Sequence, residues 1–511
     1  MPTPSITITD GIYFHDLLPD EVSRIKEDLT FPNPKYSQVK KYSKYSYTKV
    51  PPHLFYYEVI NSSTLKVPIG YSIPEGIHLP TTDDRVLSEV QYPEFQLTLR
   101  DTQVEAATSY IKANALYLNS VNSKFLFGCI QMPTGKGKSI LGLYLASFYR
   151  QKTLIVVHKN DLITGWKKDI ALCFDGKVTP GLIKSTSRRI GKHITLATVQ
   201  TLSRLTPEEQ EELFNEFGMV ILDEMHHCPA STFEVVSRFK SRFKLGLTAT
   251  PERADGLEKV MSLYFGDFCF RYTSDSEDKD ILPVEVKVKY SSYAFTPSCA
   301  RIKSKSGKIT YDLSPSGIPI TSIPYNERPR VPISYLDSKV IENNLQLYVD
   351  NIIREYDKGH SCLVFVSQIQ EVDLLYDALR EYVSPTHLGK YYGSNKDSEN
   401  DAVLQKAEST RKFITIATYS KATEGTNVKQ WEVLFLLSSI NNGKNVEQAV
   451  GRIRRTNGSN KINPVLVYDF RYPNVYSIKN HGFNRDQRYK ELGFKVVEDA
   501  RTRGLFSRGF N

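Results

Sequence analysis

The run Pro133-Thr134-Gly135-Lys136-Gly137-Lys138-Ser139 stands between an apolar stretch, Phe125 to Ile130, and a helix-like segment, Ile140 to Phe148. Strand, glycine-rich turn and helix in that order aim backbone N–H groups and a helix N-terminus at one point, which suits a phosphate. In such a turn Thr134, Gly135, Lys136 and Gly137 wrap the phosphates, Lys138 reaches the β and γ phosphates, and Ser139 holds Mg²⁺. The strict pattern G-x-x-x-x-G-K-[ST] has its first glycine where this chain carries Met132. Further along, Val220-Ile221-Leu222-Asp223-Glu224-Met225-His226-His227 is an apolar strand ending in two acids. Asp223 is placed to ligate Mg²⁺, and Glu224 to orient and deprotonate an attacking water. A zinc reading of His226, His227 and Cys228 fails, because adjacent residues point apart and no partner pair lies nearby. Gln448-Ala449-Val450-Gly451-Arg452-Ile453-Arg454-Arg455 reads as a helix whose arginines could face a nucleotide held elsewhere in the chain. A planar, permanently charged donor fork suits a transferring phosphate, so Arg452 and Arg455 are finger candidates beside Gln448.

These groups need a scaffold, and the apolar runs supply one. Thr153 to Val157, Ile194 to Thr198, Met219 to Leu222, Leu245 to Thr248, Cys362 to Val366, Phe413 to Ala417, Val433 to Leu437 and Val465 to Tyr468 are near-continuous rather than alternating. That pattern predicts parallel strands buried on both faces. Amphipathic segments such as Ser139 to Phe148, Glu208 to Phe217 and Glu371 to Tyr382 alternate with them, so the chain repeats a βα unit in two sets. Residues 96–272 and 340–490 are therefore expected as two α/β domains. The stretch 273–339, with its Ser, Pro, Gly and charge clusters, is expected as a connection carrying an inserted strand pair or loop. Residues 1–95 are expected as a small β-rich accessory domain, and 491–511 as a basic tail. From Leu29 to Tyr57 there is no acid, while Lys35, Lys40, Lys41, Lys44 and Lys49 interleave with tyrosines. The stretch reads either as a nucleic-acid face or as a solvated lysine face.

Composition bounds the class. With 511 residues, 40% apolar and 24% charged, the chain has material for several packed cores. No apolar run approaches the roughly 18 residues of a spanning helix, and residues 1–10 carry no export signal. Six cysteines without a Cys-x-x-Cys pair point to reduced thiols, no structural zinc and a cytoplasmic setting. A formal charge of +9 favours a polyanionic partner.

Taken in order, the motifs resemble those of superfamily 2 helicases, motors with two RecA-like domains. Leu99-Arg100-Asp101-Thr102-Gln103 resembles the glutamine motif that reads adenine; Pro133 to Ser139 resembles motif I and Asp223 to His226 the DExH box. Leu247 to Pro251 resembles motif III, Ala422 to Asn427 the core of motif V, and Gln448 to Arg455 motif VI, with Asn427 standing where many members carry Asp. Val156 to Trp166, Thr198 to Thr201 and Leu363 to Ser367 resemble motifs Ia, Ib and IV. Residues 248–256 and Leu162 to Trp166 are similar to the XPB, RecG and UvsW branch, and Leu65 to Gly70 and His481 to Tyr489 to phage-encoded branch-migrating helicases. The resemblance implies an ATP-dependent, Mg²⁺-requiring DNA helicase or translocase acting on single-stranded and branched duplex DNA. Phosphates of one strand would be gripped by Thr198, Thr201, Thr418 and Ser420. Gln103 and Arg100 would meet the base, and His226, Thr248 and Thr250 would couple nucleotide to DNA. A restriction-type DNA motor, for which Glu285-Val286-Lys287 is the one nuclease-like triplet, and an RNA helicase are the alternatives.

Overall fold

The computed structural model describes residues 3–33, 36, 51–73, 79–118, 128–133, 135–184, 187–225, 235–249, 258–272, 281–303, 309–422, 428–439, 443–454 and 461–498. The chain divides into two compact units, Met1–Asp275 and Ser276–Asn511.

The first unit opens with a five-stranded sheet in the order Glu58–Val59, Thr64–Pro68, Gly11–His15, Ser5–Ile8, Thr81–Asp83. Alternation buries Ile6, Ile8, Ile12, Phe14, Leu65 and Val67 against Ile25 of the helix Pro19–Asp28. A separate strand pair, Thr30–Pro32 with His53–Phe55, flanks the stretch 37–50, so the Lys and Tyr face expected there lies outside the described residues. The small sheet is fastened to the rest of the unit. The Gly70 N–H donates to Leu263 O at 2.7 Å on the helix Glu258–Phe265, and a Cβ at Gly70 would meet the Ser262 carbonyl. Asp83 pairs with both Arg85 and Arg242. Residues 86–95 then run as a strap: Ser88 N–H donates to Gln151 Oε1 at 2.9 Å, and Tyr92 OH donates to Gln151 O at 3.0 Å.

The main sheet of this unit has eight strands in the order Arg188–Arg189, Gly181–Ile183, Ile194–Thr198, Thr153–Val157, Met219–Leu222, Phe243–Thr248, Gly128–Gln131, Phe268–Arg271. All neighbours are parallel except the outermost pair. Ile155, Ile221, Leu245 and Leu247 pack on one face, and Leu154, Val156, Val220 and Leu222 on the other. Burial of both faces is why these strands read as unbroken apolar runs.

The second unit repeats the plan with seven parallel strands: Leu388–Tyr391, Ile414–Thr418, Ser361–Val366, Trp431–Leu436, Val465–Arg471, Val284–Tyr290, Lys495–Glu498. Two of these differ from expectation. Within 273–339, beside the antiparallel pair Ser298–Lys303 and Ile309–Leu313, Val284–Tyr290 is an integral strand of the main sheet, with Val284, Val286 and Val288 buried. Within 491–511, Lys495–Glu498 forms the sheet's last strand. Burial outweighs the charged residues between those valines, because a half-exposed strand needs only every second side chain apolar.

Candidate ATP-hydrolysis site

The first unit's chemistry gathers where its parallel strands end. Gly135 and Gly137 hold φ of 99° and 76°, backbone open to glycine at little cost, and Gly137 caps the helix Lys138–Tyr149. A Cβ on Gly137 would collide with the Gln103 amide, which donates to Gly137 O at 3.0 Å while accepting from Arg100 N–H at 2.9 Å. The glutamine and the phosphate loop are therefore one assembly, with the Arg100 side chain exposed at its rim. Met132 needs no glycine: it has no positive φ, its side chain is buried, its N–H donates to Thr248 O at 3.0 Å, and its carbonyl accepts from Lys138 Nζ at 3.2 Å. Thr248 thus ties the motif III strand to the loop.

Lys138 Nζ also lies 3.3 Å from Glu224 Oε1. Glu224 sits at φ 47°, a left-handed conformation that costs a non-glycine residue about 1–3 kcal/mol, and its N–H is held at 2.9 Å by Asp223 Oδ1. Burial, reinforced by the neighbouring Glu224 charge, pushes the Asp223 carboxyl up to about 6, with Lys138 pulling the other way. Two groups here were not foreseen as contacts. Trp166 Nε1 donates to Asp223 Oδ2 at 2.9 Å, and Lys136 Nζ lies 4.7 Å from the centre of the Tyr272 ring.

Ser139 stands in the first turn of the Lys138–Tyr149 helix, half-buried. Thr198 is buried at a strand end, its hydroxyl accepting from Thr201 N–H at 3.2 Å and so capping the short helix Val199–Ser203. In the second unit Thr418 is buried at the end of its strand, Ser420 is exposed one turn on, and Gln448 and Arg452 are buried on or just past the helix Gly443–Gly451. Thr134, His226, Thr250, Asn427, Arg455 and the tail beyond residue 498 lie outside the described residues. Glu285 of the nuclease-like triplet is engaged by Lys495 at 2.8 Å across adjacent strands.

A phosphate loop whose lysine reaches an acid pair two strands away defines the P-loop nucleotide hydrolases of the parallel-sheet class. Residues 96–253 match the family described as "Type III restriction enzyme, res subunit", and residues 344–457 match "Helicase conserved C-terminal domain". The chain belongs to the superfamily 2 helicases and is an ATP-dependent enzyme. It is 27% identical over 391 residues to DNA 3'-5' translocase XPB2 of Sulfurisphaera tokodaii, covering 73% of this chain and 82% of that one. It is 29% identical over 331 residues to ATP-dependent RNA helicase L396 of Acanthamoeba polyphaga mimivirus, which is 64% of this chain and 57% of that relative. Among solved structures, a fragment of an HsdR subunit of a type I restriction enzyme from Vibrio vulnificus aligns over 79% of this chain and 68% of its own, with TM-score 0.52 and 18% identity. That likeness bears on the fold, the tandem RecA-like arrangement. No helix among the described residues is long and apolar enough to cross a membrane.

Proposed function

We propose that the chain is an ATP-driven DNA translocase that remodels branched DNA, with Mg²⁺ bound at Ser139 and Asp223. One observation carries the nucleotide half of this reading: Lys138 lies 3.3 Å from Glu224 beside a buried Asp223, which sets two carboxylates beside the phosphate-loop ammonium. A divalent cation would offset the charge of these carboxylates, and the oxygen donors of Asp223 and Ser139 suit a hard cation. When bound, the cation would supply charge for the β and γ oxygens. Lys138 orients the triphosphate, Glu224 takes a proton from the attacking water, and Gln103 presents its amide beside the loop to the base. Gln448, Arg452 and Arg455 of the second unit are assigned to completing hydrolysis.

The choice of DNA follows the archaeal translocase, and the 3′ to 5′ polarity in its name is carried over with it. The name of the mimiviral relative keeps RNA as the second reading. Branch preference is assigned to the Lys and Tyr stretch from residue 35 to 57, where cations meet phosphates and rings stack on unpaired bases at about 1–3 kcal/mol each. The protein would work in a cytoplasm. ATPase rates measured with single-stranded DNA, duplex, a four-way junction and RNA test the reading. Strongest stimulation by the junction is expected, and stimulation by RNA alone would overturn it. Changing Tyr42, Tyr45 and Tyr47 to Ser should weaken junction preference while leaving single-strand stimulation intact.

A further inference from the structure

Asp223 follows the strand Met219–Leu222, and its two oxygens are held from different directions. Oδ1 accepts the Glu224 N–H at 2.9 Å; Oδ2 accepts the indole N–H of Trp166 at 2.9 Å, from the helix Asn160–Cys173. Trp166 is almost wholly buried, so this donor is not exchanged with water. The indole packs where a side chain on the phosphate-loop helix is missing: a Cβ on Gly142 would come within 3.3 Å of Trp166 Cη2, and Trp166 shares its core cluster with Ile221 and Leu247. That packing fixes the ring, and the ring fixes the carboxylate's torsion. Each oxygen keeps a second lone pair, so the acid is oriented and still able to ligate.

We propose that Trp166 is a positioning residue for the metal-binding carboxylate, its N–H setting the direction in which Asp223 offers its free lone pairs. The inference rests on the assignment of Asp223 as the Mg²⁺ ligand. Outer-shell partners of metal ligands are worth about 10–100-fold in metal affinity when removed.

The test uses the full chain and Mn²⁺ as probe, bound Mn²⁺ being counted by electron paramagnetic resonance in the presence of ADP. Trp166→Phe keeps ring bulk and deletes the N–H; it should weaken Mn²⁺ binding about tenfold and raise the Mg²⁺ needed for half-maximal ATPase by a similar factor. The ATP KM at saturating Mg²⁺ should stay near that of the unmodified chain, which separates orientation of the ligand from general damage. Asp223→Asn is the control: if it binds Mn²⁺ normally the metal assignment itself fails, whereas loss there with normal binding in Trp166→Phe overturns only the role of Trp166. Should Trp166→Phe not fold, Trp431→Phe leaves Trp166 as the sole tryptophan of the two in the chain. Its emission should then change when Mg²⁺ is added to the ADP-bound protein, and an unchanged spectrum would overturn the proposal.

Discussion

Asp223, just past a parallel strand of the first unit, and Asp469, within a parallel strand of the second, are both buried, at 6% and 0% exposure. Asp469 meets two guanidiniums, Arg485 at 2.8 Å and Arg471 at 3.1 Å, and Arg471 also pairs with Asp486. Charge is matched there within the chain. Asp223 shares one ammonium with Glu224, and its carboxyl is pushed up by burial and by that neighbour. A buried acid whose charged form is opposed by burial and by a neighbouring carboxylate is poorly placed for stability and is a candidate to take a cation from solution. The same sheet architecture thus carries one acid that closes a fold and one that we assign to a cation.

The largest effect that can break this contrast is on turnover. Glu224→Gln should retain ATP binding and lose about 10²–10⁴ in kcat, read by steady-state ATPase beside nucleotide titration. Near-normal turnover would remove Glu224 from the role of base. Asp223→Asn should also stop hydrolysis yet leave the thermal melt unchanged or raised, since it removes a buried, repelled carboxylate. Asp469→Asn should do the opposite damage: it strands the buried Arg485 guanidinium and leaves Arg471 with Asp486 alone, and should cost about 3–5 kcal/mol in denaturant unfolding of the second unit. Equal melts for the two asparagine variants would dissolve the distinction.

A buried base sharpens the same point. Lys244, on the strand Phe243–Thr248, has no exposed surface, and burial pulls its amine down to about 7. Its ammonium donates to Ser237 O at 2.8 Å. The unfolded lysine keeps its proton to 10.5, so between about 7 and 10.5 the unfolded state binds more protons and stability rises with pH. The gain is at most about 1.4 kcal/mol per pH unit from this group. Lys244→Met should remove that rise in urea midpoints taken from pH 7 to 9, and an unchanged slope would mean the amine is not the group responsible.

What the sequence made legible was what lies close along the chain. The loop Pro133 to Ser139 and the pair Asp223-Glu224 are contiguous, and the central strands declare themselves because burial on two faces demands unbroken apolar runs. Val465 to Tyr468 was legible as a strand, but Val284–Tyr290 was expected within a connection and Lys495–Glu498 within a tail, because pairing across some 200 residues leaves no local trace. Trp166 carries no spacing relative to Asp223 that hints at a hydrogen bond, and only the packing over Gly142 brings them together. Gln103 was assigned to the base by resemblance, while its bond to Gly137 O depends on how the helix Asp101–Leu118 docks.

Tyr272 gives the smallest expected effect and the finest version of the contrast. Its N–H donates to Gln131 O at 3.0 Å, which pins the residue beside the strand leading into the phosphate loop. Its ring then lies under Lys136 Nζ at 4.7 Å, while Gln103 holds Gly137 from another side. A ring's quadrupole attracts an ammonium by about 0.5–2 kcal/mol, the upper end applying where water is excluded, and Lys136 is 2% exposed. Unlike the guanidiniums around Asp469, this contact restrains a loop rather than a core, so its loss should appear in nucleotide affinity and not in the melt. Tyr272→Leu should raise the ATP KM about 2- to 30-fold with kcat little changed, and Tyr272→Phe, which keeps the ring face, should match the unmodified chain. If the ring acts through the lysine, Tyr272→Leu in the Lys136→Met background should add little to the KM. Fully additive effects would mean that the two residues serve the loop separately, and that the ring is only part of the core behind it.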